Sequence, residues 1–400
     1  MKFNMPAIAG LTFLICAIAV STYAQEEPKL YKEFSAEVEL NNRFFFEDGS
    51  FEGQERNYFS IAFQPEVYLE WNEGYTSFKF TGFGRIDQHD SRRTHFDIRE
   101  LYWQKVKGNT EISIGFKKIF WGKTESVHLV DIINQTDQVE SFDGEDKLGE
   151  AMIHLSQFTN IGTFDFFVLP YFRKRVFPGP EGRFRTPIVL DGDEFEFEGD
   201  EDEFRPSFAF RWSHYIGVFD IGVSHFYGTG REPIIADFST FEAIYGVINQ
   251  TGIDLQATTG PWLWKAETII RRNDFQDLFA FAGGVEYTFG NIGGKGLDIG
   301  ILGEYLFDDR DELALSSLQN DIFTGMRFAF NDIKDTQILT GAIFDLERSS
   351  RIYSLEADRR IGNSWSVEAV ARVFDNISSD EFLTVFQYDS FLEFAITKYF

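Results

Sequence analysis

Polar and apolar residues alternate one by one along most of this chain. In GLDIGILGEYLF, Leu297, Ile299, Ile301, Tyr305 and Phe307 fall on one side of an extended strand, with Asp298 and Glu304 on the other. In SWSVEAVARV, Trp365, Val367, Ala369, Ala371 and Val373 oppose Ser364, Ser366, Glu368 and Arg372. EISIGFK sets Ile112, Ile114 and Phe116 against Glu111 and Lys117. A period of two marks a strand with one dry face and one wet face, and no stretch of comparable length carries a helical period. Strands are predicted over 31–46, 56–73, 75–88, 93–106, 110–119, 150–157, 162–171, 205–214 and 217–228. A second set follows over 241–257, 261–272, 276–289, 296–308, 318–330, 335–347, 350–360, 363–374 and 382–400. The count is eighteen, with sixteen as the alternative.

The connections carry more information than the strands. Every second one is short, as in Asn72-Glu73-Gly74, Lys107-Gly108-Asn109, Thr259-Gly260 and Gly362-Asn363. The intervening set includes the three longest and most charged segments, 120–149, 172–204 and 229–240. Long and short loops therefore segregate to opposite ends of the strands. The predicted fold is all-β, a transmembrane antiparallel barrel with short periplasmic turns and long extracellular loops. A soluble sandwich alternates similarly but has no reason to sort its loops by length. Trp71, Trp103, Trp262, Trp264 and Trp365 lie near predicted strand ends, where amphipathic rings suit the two interfacial girdles.

Residues 1–24 read as a cleaved signal peptide: Lys2, an apolar run from Ala7 to Val20, then Thr22-Tyr23-Ala24. The barrel is expected to occupy 25–400. Losing the signal removes Cys16, the only cysteine, so no disulfide is available. Losing Lys2 with it takes the net charge from -27 to -28, which argues against nucleic acid as a partner.

The chain closes on FLEFAITKYF, in which Phe394, Ile396 and Phe400 face one way and Glu393 and Thr397 the other. This ending resembles the last strand of bacterial outer-membrane β-barrels, which alternates and finishes on Phe. The resemblance implies an outer-membrane location and makes Phe400 part of the address read by the barrel-assembly machinery. Lys398 departs from the family pattern, in which an aromatic or apolar residue usually stands there.

Alternation places many charges on the inner faces. An Arg or Lys facing lipid near the midplane costs ~2–4 kcal/mol, so these must meet water or each other. Candidate pore-lining or constriction residues are Arg85, Lys117, Lys123, Asp131, Arg173, Arg175, Lys265, Glu267, Arg271, Glu304 and Arg372. Segment 120–149 mixes Val127, Leu129, Val130, Ile132 and Ile133 with many acids. It resembles the long third loop of porins, which folds into the barrel and narrows it. The next loop pairs a basic half, with Arg173, Lys174, Arg175, Arg183 and Arg185, with an acidic half from Asp191 to Glu203. Such halves fit a constriction, or outside loops bridged to lipopolysaccharide by divalent cations.

In the stretch RIDQHDSRRTHFDIR, Arg85, Asp87 and His89 share one face of their strand, and so do His95, Asp97 and Arg99 of theirs. A turn centred near Arg92 would mirror the two and cluster six ionisable groups at the mouth. Two His and two Asp suit a divalent metal or an outer-membrane hydrolase; a ladder of salt bridges is the bland reading. No dedicated metal site or cofactor is expected beyond a divalent cation at acidic loops.

Together these observations predict a porin-type channel for passive diffusion of small polar solutes or ions. The alternatives are a hydrolase at the extracellular mouth and a non-conducting adhesion or interaction barrel. The expected partners are outer-membrane lipid and lipopolysaccharide, the assembly machinery and a small solute. The porin resemblance also admits a homotrimer.

Overall fold

The alternation resolves into a single sheet of 18 antiparallel strands, which settles the count left between sixteen and eighteen. The computed structural model describes residues 30–237, 242–310 and 318–400; the expected signal segment lies outside the described residues. The first nine strands are Tyr31–Phe45, Asn57–Trp71, Thr76–Asp87, His95–Lys107, Thr110–Lys117, Glu150–Thr159, Gly162–Leu169, Ser207–Ile216 and Phe219–Thr229. The next five are Val247–Thr259, Trp262–Arg272, Leu278–Ile292, Leu297–Asp308 and Asn320–Ala329. The last four are Gln337–Asp345, Arg351–Ile361, Trp365–Asp375 and Phe391–Tyr399. Each strand pairs with its sequence neighbours, and the last pairs with the first from Glu37↔Tyr399 to Phe45↔Phe391. The sheet is therefore closed, and no backbone edge is left to meet lipid or another chain. Phe400 continues the seam by donating its N–H to the Ala36 carbonyl at 2.9 Å.

Closure fixes which way each side chain points. Phe34, Phe63, Ile86, Phe96, Ile270, Phe394 and Ile396 are exposed on the outer surface as an apolar band. Asn41, Arg43, Ser60, Arg85, Glu267 and Glu304 are buried on the inner one. Among the described residues no helix is long and apolar enough to cross a membrane; the crossing elements are strands. An apolar belt on a closed barrel is the architecture of an outer-membrane protein.

Loop sorting follows the predicted pattern. Two-residue turns such as Gly217-Val218 and Gly260-Pro261 join strands at the end where the first strand starts at Tyr31 and the last finishes at Tyr399. Gly217 and Gly260 each adopt φ 63°, a backbone state in which a side chain is strained. The long connections lie at the other end. All five tryptophans assigned to the girdles fall at the short-turn end, as the register of their strands shows. They form one belt rather than two, and phenylalanine and tyrosine occupy the opposite rim.

Two predicted strands lose their opening residues to other structure. The eighteenth begins at Phe391 rather than 382, because Phe382–Phe386 forms a 3-10 helix that tucks Leu383 and Phe386 into the mouth. The segment predicted at 241–257 breaks at Gly246. Its first part, Glu242–Tyr245, joins Ile234–Asp237 and Glu196–Phe197 in a small three-stranded sheet over the mouth. Tyr245 is fully buried there against Phe172, Phe195 and Phe197, and this packing draws it off the barrel wall.

The two faces of one strand should respond oppositely to the same substitution. Phe394→Arg, on the lipid face, is expected to lower stability in urea titrations of the vesicle-embedded barrel by ~2–4 kcal/mol. Thr397→Arg, facing the lumen one strand from Glu39, is expected to change it by less than about 0.5 kcal/mol.

Candidate functional site

The connection between strands Thr110–Lys117 and Glu150–Thr159 turns into the barrel. Its apolar run supplies the reason: Trp121, Val130, Ile132 and Ile133 pack on wall residues Met152, Phe167, Leu169, Phe226, Ile248, Ile269 and Leu278. Val130 and Ile133 are completely buried. Each such aliphatic side chain removed from water is worth about 1.5–3 kcal/mol. Gly252 keeps the wall flat where Val130 sits, since a Cβ there would lie 3.0 Å from Val130 Cγ1.

Apolar packing seats the loop, and two wall carboxylates fix it. Glu267 is 1% exposed. Its Oε1 accepts the Lys123 N–H at 2.5 Å, the Thr124 N–H at 3.0 Å and the Thr124 hydroxyl at 2.9 Å. Its Oε2 accepts the Val130 N–H at 3.2 Å. Glu304 accepts the N–H groups of Glu125 and Ser126 at 2.8 and 3.0 Å, and the Ser126 hydroxyl at 2.6 Å. A turn with no regular partners thus gives its free N–H groups to charges that need donors once buried. Flanking ion pairs join Lys123 to Asp220 at 2.5 Å and Glu125 to Lys265 and Arg327 at 3.1 and 2.6 Å.

The return half of the loop is tied to the opposite wall. Glu140 pairs with Arg85 at 2.8 Å, Asp137 with Arg99 at 2.6 Å, and Asp143 with Arg372 at 2.9 Å. Arg43 donates to the Glu140 carbonyl at 3.3 Å. The loop therefore spans the lumen and is held from both sides.

Each predicted lumen residue has a definite place. Lys265, Glu267, Glu304, Arg85 and Arg372 lie on the wall and touch the inserted loop, while Lys123 lies on the loop itself. Arg372 also pairs with Glu356 at 2.5 Å. Asp131 stays inside the loop, where it accepts the Trp121 N–H and pairs with Lys147 at 3.4 Å. Lys117 faces the lumen below, over the Tyr102 ring and 3.8 Å from Glu111. Arg271 sits higher on the wall with Gln250 and Glu232. Arg173 pairs with Asp97 at 2.7 Å, and Arg175 donates to Gln135 of the loop at 3.1 Å. Arg173 and Arg175 thus reach inward, whereas Lys174 pairs with Asp193 and Glu203 and Arg185 bonds carbonyls of its own loop; the acids Asp193, Glu194, Glu196, Asp200, Glu201 and Asp202 are exposed.

Five of the six residues expected at the mouth lie near one another, in an arrangement that differs from the predicted symmetry. The register pairs Arg85 with His95 and Phe83 with Asp97, so the turn centres on residue 90 rather than Arg92. Asp87 sets that turn by accepting the N–H groups of His89 and Asp90, each at 3.0 Å. His89 consequently leaves the group and lies edge-on to Tyr58. Asp87 pairs with Arg93, and Asp97 with Arg99 and Arg173. His95 lies 3.9 and 3.8 Å from Asp137 and Glu140. Both aspartates are thus engaged by arginine, and the arrangement is a ladder of ion pairs that grips the inserted loop.

Sequence reasoning missed Asp137, Glu140, Asp143 and Glu125, because a loop has no periodicity to assign its acids to partners. It also passed over Arg327, although alternation places that residue on the inner face.

No family model matches this chain, and no curated protein matches it. Solved structures do. OccK5 (OpdH) of Pseudomonas aeruginosa superposes with a TM-score of 0.54 at 10% identity, over 93% of this chain and 97% of that one. Wzi, an outer membrane protein involved in group 1 capsule assembly in Escherichia coli and a carbohydrate-binding β-barrel, gives 0.54 at 10%, over 91% and 83%. OccD3 (OpdP) of Pseudomonas aeruginosa gives 0.53 at 8%, over 92% and 91%. At such identities the likeness is one of fold: a bacterial outer-membrane barrel.

Glu267→Ala is expected to speed hydrogen exchange of the Thr124 and Val130 amides by about 10-fold or more, since bonds to a charged group contribute about 1.5–3 kcal/mol. His128 adds a pH dependence. Burial opposes its charge, but Glu145 at 3.3 Å and Glu267 at 3.9 Å outweigh that and raise its pKa from 6.5 to about 10. A raised imidazole pKa stabilises fully below pH 6.5 and progressively less as pH climbs through about 10. Exchange of the same amides, corrected for intrinsic rates, is expected to accelerate across that window, and His128→Gln to abolish the dependence.

Proposed function

We propose that this barrel is a diffusion channel for small polar solutes whose aperture is set by the inserted loop. The observation that carries the reading is the double fastening of residues 123–143: Glu267 and Glu304 on one wall, Arg85, Arg99 and Arg372 on the other. A wide lumen crossed by a charged, rigidly held loop discriminates by size and charge. The same fastening explains why the wall residues are ionised groups rather than neutral polar ones. Lumen charges below the loop, such as Lys79 with Glu66 and Glu100, keep the lower vestibule wet.

A second reading has one observation in its favour. The mouth loops are tied together by Arg183, whose side chain is 1% exposed. It pairs with Asp389 at 2.6 Å and donates to the carbonyls of Glu47, Glu55 and Tyr388. Its guanidinium lies over the Phe45 ring, which packs on Phe184, and Phe184 in turn meets Phe142 and Phe386. A closed mouth suits a non-conducting barrel that binds carbohydrate on its outer loops, and Wzi, which shares the fold, is a carbohydrate-binding β-barrel.

Single-channel recording of the purified barrel in a planar bilayer separates the two. Stepwise openings are expected, and Glu267→Ala/Glu304→Ala is expected to give larger and noisier steps while the barrel remains folded. A silent bilayer with inserted, heat-modifiable protein would count against the channel and in favour of the binding barrel.

A further inference from the structure

Between the inserted loop and the short turns, one sector of the wall carries more acid than base. Strand Trp365–Asp375 sets the levels: Arg372 holds the loop through Asp143, and Glu368 lies two inward positions nearer the short-turn end. The register places Asp358 of the neighbouring strand directly opposite Glu368, and like charges so placed repel. Both side chains are exposed to the lumen, and among the described residues neither makes an ion pair or a side-chain hydrogen bond.

The surroundings do not make up the deficit. Glu39, Glu356 and Glu393 stand close enough to Glu368 to add to the repulsion. Their arginines are already divided. Arg85 serves Glu39 and Glu140, and Arg372 serves Glu356 and Asp143. Arg43 serves Glu393 and the Glu140 carbonyl. Arg360, two residues beyond Asp358 on the same face, makes no ion pair among the described residues. Elsewhere on the wall Arg211, Lys265 and Arg327 are each paired, with Asp254 or Glu125. A second, independent observation comes from Asn41, which shares the cross-strand row through Asn41↔Ala395, Ala395↔Glu368 and Glu368↔Asp358. Asn41 is 3% exposed. Its Nδ2 donates to Glu393 at 2.6 Å, while its buried Oδ1 meets no donor. An acceptor without a donor leaves its negative potential uncancelled in that row.

We infer that this sector makes the channel prefer cations, with Asp358 and Glu368 as the residues that set the preference. No base answers these carboxylates, so mobile cations do, and they become more concentrated in the lumen than anions. The inference rests on the channel reading and names its solute class: small cations, and polar solutes of net positive charge. The inserted loop then discriminates by size and the wall beneath it by sign.

The test is the reversal potential of single channels in a potassium chloride gradient, read at low and at high salt. Potassium is expected to pass in preference to chloride. The preference is expected to weaken near molar salt, where screening shortens the reach of exposed charges to a few ångströms. Asp358→Asn/Glu368→Gln is expected to cut the potassium-to-chloride permeability ratio by about 2-fold or more in barrels that remain heat-modifiable. Glu194→Gln/Asp200→Asn, in the exposed outer loop, is expected to leave the ratio unchanged. Chloride preference, a ratio unmoved by the first pair, or an equal shift from the outer-loop pair would each overturn the inference. Openings without ion preference would remove this role and leave the channel standing; a silent bilayer would remove both.

Discussion

Everything in this molecule depends on the seam between its first and last strands. A sheet in lipid has no water to satisfy an unpaired edge, so Tyr31–Phe45 and Phe391–Tyr399 must meet. Once they do, the two faces become inside and outside, and alternation commits half of every strand to the lumen. The lumen then holds charges that cannot face lipid and are too crowded to stay fully hydrated. Glu267 is the clearest instance: it is buried on the inner wall, and its partners are the Thr124 and Val130 backbone N–H groups of the inserted loop.

The loop is therefore held by complementary needs. Its apolar residues need a dry wall and find one in Phe167, Phe226 and Ile269. Its turn needs acceptors and finds Glu267 and Glu304. Its acids need cations and find Arg85, Arg99 and Arg372. Removing one partner leaves an unpaired buried charge, which costs more than the contact itself contributed. A loop satisfied in this way stays put, as the proposed size selection requires.

Much of this was legible in the sequence because period-two alternation is a direct image of a pleated wall. It placed Leu302's neighbours Ile301 and Glu304 on opposite faces and put Lys265, Glu267 and Arg372 in the lumen, as the register has them. It failed where the chain leaves the wall. The strand predicted from 382 was drawn from alternation that continues into a loop, and Tyr245 was taken for a wall residue because its segment reads apolar. Partner choice was not legible either: nothing in the acids of 120–149 names Arg85 or Arg99, since that pairing arises only after the barrel has closed. The His89–His95 symmetry failed because Asp87 sets a turn two residues earlier than spacing suggests.

The central claim is that the fastened loop defines the aperture. Vesicle swelling with uncharged sugars of increasing size tests it most directly, because it reads the opening without reference to charge. The account predicts rapid entry of a pentose and a steep fall before a trisaccharide. Equal entry of both, or no entry of either by correctly folded barrels, would contradict it.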